Sequence, residues 1–182
     1  MSKQNVKSVV EPKKVNSELF SMTYGALVVQ LLDDFESDDE VNSQLDKIGY
    51  NIGLRIVDDF LSKNPSVGKC FDMKEIAAVL VKALKMYMGF TATVTDWSPA
   101  ADEFSLVFDG NPLAEFVELP QEKHGNLQYS QALCGAIRGA LEMVHFEVKV
   151  EFIRDQLREG TDNEIRVRLI KKLDDHLPAT ED

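Results

Sequence analysis

The 182-residue chain offers few side chains for chemistry, and the most distinctive is Cys70. It stands in Val67-Gly68-Lys69-Cys70-Phe71, directly ahead of Asp72 and Glu75 and a run of apolar residues at helical spacing. Asp72 and Glu75 form a capping-box pattern, so Cys70 precedes a helix start. Lys69 and the positive end of that helix favour thiolate, while Asp72 opposes it. A Cys–His enzyme needs an oriented histidine nearby, and none is close in sequence. An acylated thiol is the other chemistry open to Cys70. A palmitoyl chain buried away from water gains on the order of 10 kcal/mol gross, at about 0.8 kcal/mol per methylene. A plain unmodified cysteine near a helix start fits the pattern too.

Other reactive types are scattered. His124, His145 and His176 lie far apart and lack metal-ligand spacing. Asp33-Asp34, Asp38-Asp39-Glu40 and Asp58-Asp59 fall on predicted helix ends or solvent faces, where solvation explains them without acid–base catalysis. No Gly-rich phosphate loop, GxSxG or HExxH occurs. With only Cys70 and Cys134, there is no disulfide framework and no CxxC pair, which suits a reducing compartment. A formal net charge of -11 argues against nucleic acid as a partner and against general binding to anionic lipid. No secretory leader, membrane-length apolar run, myristoylation glycine or prenylation box is seen, so a cytosolic protein reaching membranes indirectly is expected.

The helix after Cys70 carries Ile76, Val79, Leu80, Ala83, Leu84, Tyr87 and Met88 on one broad stripe, and Gly89 ends it. Before it, residues 1–15 read as a disordered arm. Asn16 or Ser17 caps a helix over Leu19–Phe35 that is apolar on two sides: Phe20, Tyr24, Leu27 and Leu31 on one, Leu19, Ala26, Val29 and Leu32 on the rest. Such a helix is central, or is shared between the core and another subunit, and sharing suits a chain this short. Ser37 with Glu40 opens a second helix with Val41, Leu45, Ile48, Ile52, Ile56 and Phe60 as its stripe. Gly49 and Gly53 on it would admit another helix closely.

From Thr91 the period becomes two. Thr91–Trp97 and Phe104, Leu106 and Phe108 predict a hairpin, and Leu113–Leu119 a further extended piece. Tyr129–Val144 predicts a fourth helix, with Cys134, Gly135, Ala136 and Gly139 as small residues. They allow close packing on two sides, or room for something else. A second hairpin follows: Phe146, Val148, Val150 and Phe152, then Ile165, Val167 and Leu169, with Glu151 opposite Arg168 if its loop is symmetric. This order predicts an α+β fold, about four helices on one face of an antiparallel sheet. The expected domain spans 16–178, with an acidic tail at 179–182.

Several blocks carry a resemblance. They include Ser17-Glu18-Leu19-Phe20, Thr23-Tyr24-Gly25-Ala26-Leu27, Gln44-Leu45-Asp46-Lys47, Val67-Gly68-Lys69-Cys70, Trp97-Ser98-Pro99, Asn111-Pro112-Leu113, Phe116-Val117-Glu118-Leu119-Pro120 and Arg138-Gly139-Ala140-Leu141-Glu142-Met143. In order and spacing, from about Ser17 to Pro178, the chain resembles the trafficking protein particle (TRAPP) small-subunit family. The resemblance implies a non-catalytic subunit that dimerises through helices and joins other TRAPP subunits in a vesicle tether. That tether acts in ER-to-Golgi and intra-Golgi transport and contributes to nucleotide exchange on a Rab-type GTPase. The expected place is cytoplasmic, peripheral to the cis Golgi and endoplasmic reticulum. The resemblance also implies palmitate on Cys70, held in an internal apolar tunnel as a structural group rather than a membrane anchor. Ala83, Leu84, Gly135, Ala136 and Gly139 are the candidate tunnel lining, and Asp174–Asp182 the candidate GTPase-facing segment. The rival readings are a lipid-binding protein whose tunnel exchanges its ligand and a thioester enzyme that uses Cys70.

Overall fold

Helix caps decide where the first elements begin. A computed structural model describes residues 16–120, 122–160 and 162–173. Asn16 Oδ1 accepts the N–H groups of Glu18 (2.8 Å) and Leu19 (3.3 Å), starting α1 at Ser17–Asp34. Ser37 Oγ accepts from Glu40 N (3.3 Å) and donates to Glu40 Oε2 (3.1 Å), opening α2 at Asp38–Lys63. Asp72 Oδ1 accepts from Lys74 N and Glu75 N, both at 2.9 Å, opening α3 at Met73–Tyr87. The return bond of that last box is displaced by one residue: Glu75 Oε2 accepts from Phe71 N (2.6 Å), which fastens the Cys70 loop to the helix. Then come β1 (Thr93–Thr95), β2 (Glu103–Phe108), α4 (Gln131–Met143), β3 (Phe146–Arg154), the single turn α5 (Gln156–Glu159) and β4 (Asn163–Lys172).

The sheet is antiparallel throughout, in the order β1-β2-β4-β3. Both expected hairpins form, and β4 joins them by pairing with β2. Glu151 faces Arg166, not Arg168, which faces Lys149 instead. The connection is asymmetric, because α5 and a register shift between Phe152 and Arg154 offset the strands. An offset of two keeps every side chain on its own face, so the alternation survives. Leu113–Leu119 is not extended as the sequence suggests. Asn111 is buried, donates to Ser130 Oγ (2.7 Å) and accepts from Leu113 N (3.1 Å), which winds the segment into turns.

One apolar core lies between the sheet and the pair α3 and α4, around Ile76, Leu80, Phe104, Leu106, Ile137, Ile165 and Val167. The second joins α1, α2 and the segment before α4 through Tyr24, Val28, Val41, Leu45, Leu127 and Tyr129. The far face of the sheet is polar. There Glu164, 4% exposed, accepts from Ser105 Oγ (2.6 Å) and Arg166 (2.8 Å) and ties β2 to β4.

Between the two cores α2 and α4 nearly touch. A Cβ on Gly49 or Gly53 would overlap the carbonyl oxygens of Ala132 or Ala136, and one on Gly135 or Gly139 those of Asp46 or Tyr50. Four glycines, two per helix at four-residue spacing, therefore set the crossing. This rotates α2 from its expected stripe: Gly49, Gly53 and Val57 are buried, while Ile52 is half exposed. Arg138 pairs with Asp46 and stacks over the Tyr50 ring (4.6 Å) at the edge of the contact. α1 is also rotated. It packs through Ser21, Tyr24 and Val28, with Tyr24 Oη donating to Tyr129 O (2.6 Å), and leaves Leu19, Phe20, Met22, Leu27 and Val29 exposed.

Candidate functional site

Where α2, α3 and α4 diverge they leave a half-open apolar cavity of about 370 Å³, within the roughly 300–1,000 Å³ of small-molecule pockets. α2 contributes Ile56, Val57, Phe60 and Leu61; α3 contributes Ile76, Val79, Leu80, Ala83 and Tyr87. Ala140, Leu141, Met143 and Val144 come from the end of α4, and Val67–Cys70 with His145 complete the wall. The α3 stripe divides here. Ile76, Ala77, Leu80 and Leu84 are buried in the first core, while Val79, Ala83 and Tyr87 are half-buried on the cavity side.

Cys70 lies on this wall, partly buried and packed against the first core. Its loop is held twice: by Glu75 at Phe71 N, and by Lys172 Nζ, which donates to Phe71 O at 2.6 Å. Phe71 itself is exposed. The thiol is pushed up from its ordinary pKa, first by burial, then by the carboxylates of Glu75 and Asp72. Asp72 acts as the sequence suggests, against Lys69 and the helix end. Loss of hydration and two nearby negative charges outweigh them. The site therefore holds a protonated thiol against an apolar space.

Of the residues picked from sequence, Cys70 and Ala83 meet on the cavity wall. Leu84 is buried in the core instead. Gly135 and Gly139 are closed against the α2 backbone, and the Ala136 carbonyl faces Gly53 there. Their smallness serves helix contact, the other option that the sequence left open. Sequence reasoning passed over most of the wall, including Ile56, Val57, Tyr87, Val144 and His145. The available signal was the α3 stripe, too broad for one neighbour and so requiring a second apolar surface. His145 was set aside as ordinary, yet it joins α4 to β3 with φ 69°, a left-handed value uncommon away from glycine.

The remaining candidates fall elsewhere. His124 Nδ1 contacts Asp38 Oδ1 at 2.9 Å by the start of α2. Asp59 accepts from Lys63 and Tyr87, each at 2.6 Å, and both bonds hold its carboxyl below the usual range. Among the described residues no three His, Cys, Asp or Glu side chains gather as a metal site, and no helix is long and apolar enough to cross a membrane. His176, the 1–15 arm and the Asp174–Asp182 segment lie outside the described residues.

Comparison with known proteins supplies the family. The transport protein particle (TRAPP) component family matches residues 20–168. The chain belongs to the TRAPP component family. Among TRAPP relatives, trafficking protein particle complex subunit 3 of Dictyostelium discoideum is 46% identical over 92% of this chain and 90% of its own length. The subunit 3 homolog of Caenorhabditis elegans is 44% identical over 100% and 99%, and subunit BET3 of Saccharomyces cerevisiae 44% over 93% and 89%. A crystal structure of the Naegleria fowleri subunit 3, covalently bound to palmitic acid, superposes with a TM-score of 0.84 at 48% identity, covering 89% of this chain and 99% of that one. An H-NOX protein from K. algicida shares the fold alone, at a TM-score of 0.53 and 12% identity over 93% and 82%.

Proposed function

We propose that this TRAPP family chain is a non-catalytic subunit of a vesicle-tethering assembly and carries a palmitoyl group on Cys70, its hydrocarbon filling the α2–α3–α4 cavity. The observation that carries this reading is the cavity itself: an apolar space of about 370 Å³ with a thiol on its wall. The palmitic acid on the Naegleria fowleri relative supports it. Acylation needs an acyl thioester donor. The Cys70 sulfur bonds to the acyl carbon, the donor's S–C bond breaks, and the thiol proton leaves with the donor's thiolate. A chain buried in this way stabilises the fold and is not available as a membrane anchor.

The assembly role follows from the relatives' names, which place them in the TRAPP complex. Other TRAPP subunits are the partners. The outer apolar face of α1, with Leu19, Met22 and Val29, is where a second copy packs when the chain is alone. The assembly works at the cytoplasmic side of the cis Golgi and endoplasmic reticulum and acts on a Rab-type GTPase, with Asp174–Asp182 as the segment facing it.

Intact mass of the chain purified from its own cells tests the acylation. The expected result is a palmitoyl increment, removed by hydroxylamine and absent in Cys70→Ser. A lipid that leaves under denaturing conditions in the wild type would replace this reading with an exchangeable lipid carrier. Affinity purification tests the assembly role: other TRAPP subunits should accompany the chain, and recovery of the chain alone would refute membership.

A further inference from the structure

Tyr87 is the last residue of α3, whereas Cys70 precedes the first, yet both line one cavity. From Ile76 to Tyr87 the helix rises about 16 Å, so Tyr87 stands at the end of α3 away from the loop that carries Cys70. The ring lies near Phe60, with centroids 6.5 Å apart. Its hydroxyl points the other way and donates to Asp59 Oδ2 at 2.6 Å, and Lys63 Nζ binds the same oxygen at 2.6 Å. Asp59 and Lys63 are 45% and 46% exposed, so this cluster meets water while the ring meets the cavity. Burial and the Asp59 bond both raise the Tyr87 pKa, so the hydroxyl remains a proton donor at neutral pH.

We propose that Tyr87, tied to Asp59, closes the end of the cavity remote from Cys70 and thereby sets the longest acyl chain the protein accepts. The inference rests on the acylation reading above. A chain that ends at the ring leaves the Tyr87–Asp59 bond intact. A longer one displaces the ring and breaks that bond, or leaves methylenes in water near Cys70. Each methylene left in water weakens retention about fourfold, so two amount to about fifteenfold.

Purified full-length protein, stripped with hydroxylamine, is incubated with an equimolar mixture of myristoyl-, palmitoyl- and stearoyl-CoA, and the adducts are read by intact mass. Wild type should disfavour stearoyl relative to palmitoyl, approaching about fifteenfold. Tyr87→Leu should raise the stearoyl share several-fold, and Tyr87→Trp should shift the profile towards myristoyl. Asp59→Asn alters an exposed side chain and should move the profile in the same direction as Tyr87→Leu, less far. It keeps the test decisive should the leucine variant not fold. A stearoyl-to-palmitoyl ratio that stays at the wild-type value in both Tyr87→Leu and Asp59→Asn would overturn the proposal with acylation intact. Absence of any adduct on wild type would refute the acylation reading, and this inference with it.

Discussion

If Cys70 carries the palmitoyl chain proposed above, removing that chain should cost the fold about 2 kcal/mol. At about 24 cal/mol per Å³ of unfilled apolar space, a dry and rigid cavity of about 370 Å³ corresponds to roughly 9 kcal/mol. Counting methylenes instead gives about 12 kcal/mol for a palmitoyl chain. Both are upper limits, because Cys70 is only partly buried and the walls can relax. Val79, Ala83 and Tyr87 are half-buried side chains with room to move inwards. If a quarter of the smaller figure survives, about 2 kcal/mol remains, and for a domain of this size that lowers Tm by about 4–8 °C. The assay is differential scanning calorimetry of one preparation before and after hydroxylamine, with Cys70→Ser as a second form lacking the chain. Ala83→Phe separates filling from attachment. Its ring should occupy part of the cavity, block retention of the chain and recover part of the lost stability. If acylated and stripped protein unfold within about 1 °C of each other, the chain does not fill this cavity, and the argument from volume fails.

Three further outcomes follow from the same geometry. Gly53→Ala should destabilise by about 1–3 kcal/mol, because its Cβ would meet the Ala136 carbonyl and the Ala140 backbone rather than a movable side chain. Urea unfolding measures this, and a neutral result would show that the α2–α4 crossing can yield. Acyl transfer to Cys70 should keep accelerating with pH beyond the point where a free thiol levels off, since burial, Glu75 and Asp72 all raise its pKa. Glu75→Gln removes one of those charges but can still accept from Phe71 N, so its rate profile should move to lower pH. A double change of Leu19 and Met22 to serine should abolish the proposed self-association in sedimentation while circular dichroism still reports a folded chain, as both are exposed on α1.

Local rules placed the long helices and the sheet strands, but not the turns of Leu113–Leu119 or α5. Asn16, Ser37 and Asp72 cap the helices they were expected to cap, because capping is a bond between residues two or three apart. Strict alternation located β2, β3 and β4, and the order and spacing of the blocks from about Ser17 to Pro178 pointed to the family. Which faces meet was not local. The sequence shows Gly49, Gly53, Gly135 and Gly139 only as small residues. That they oppose one another across α2 and α4, rather than line a cavity, depends on how helices some eighty residues apart cross. Likewise Cys70, Tyr87 and Val144 share one cavity only after α3 has folded back beside α2. The sign of the Cys70 pKa shift was decided the same way: its neighbours in sequence include a lysine, but desolvation by tertiary packing is the largest influence. The sequence by itself determined the elements and their kinship, because caps and periodicity act over a few residues. Only the tertiary structure decided where empty space remains, because a void belongs to no residue and exists between elements that fail to meet.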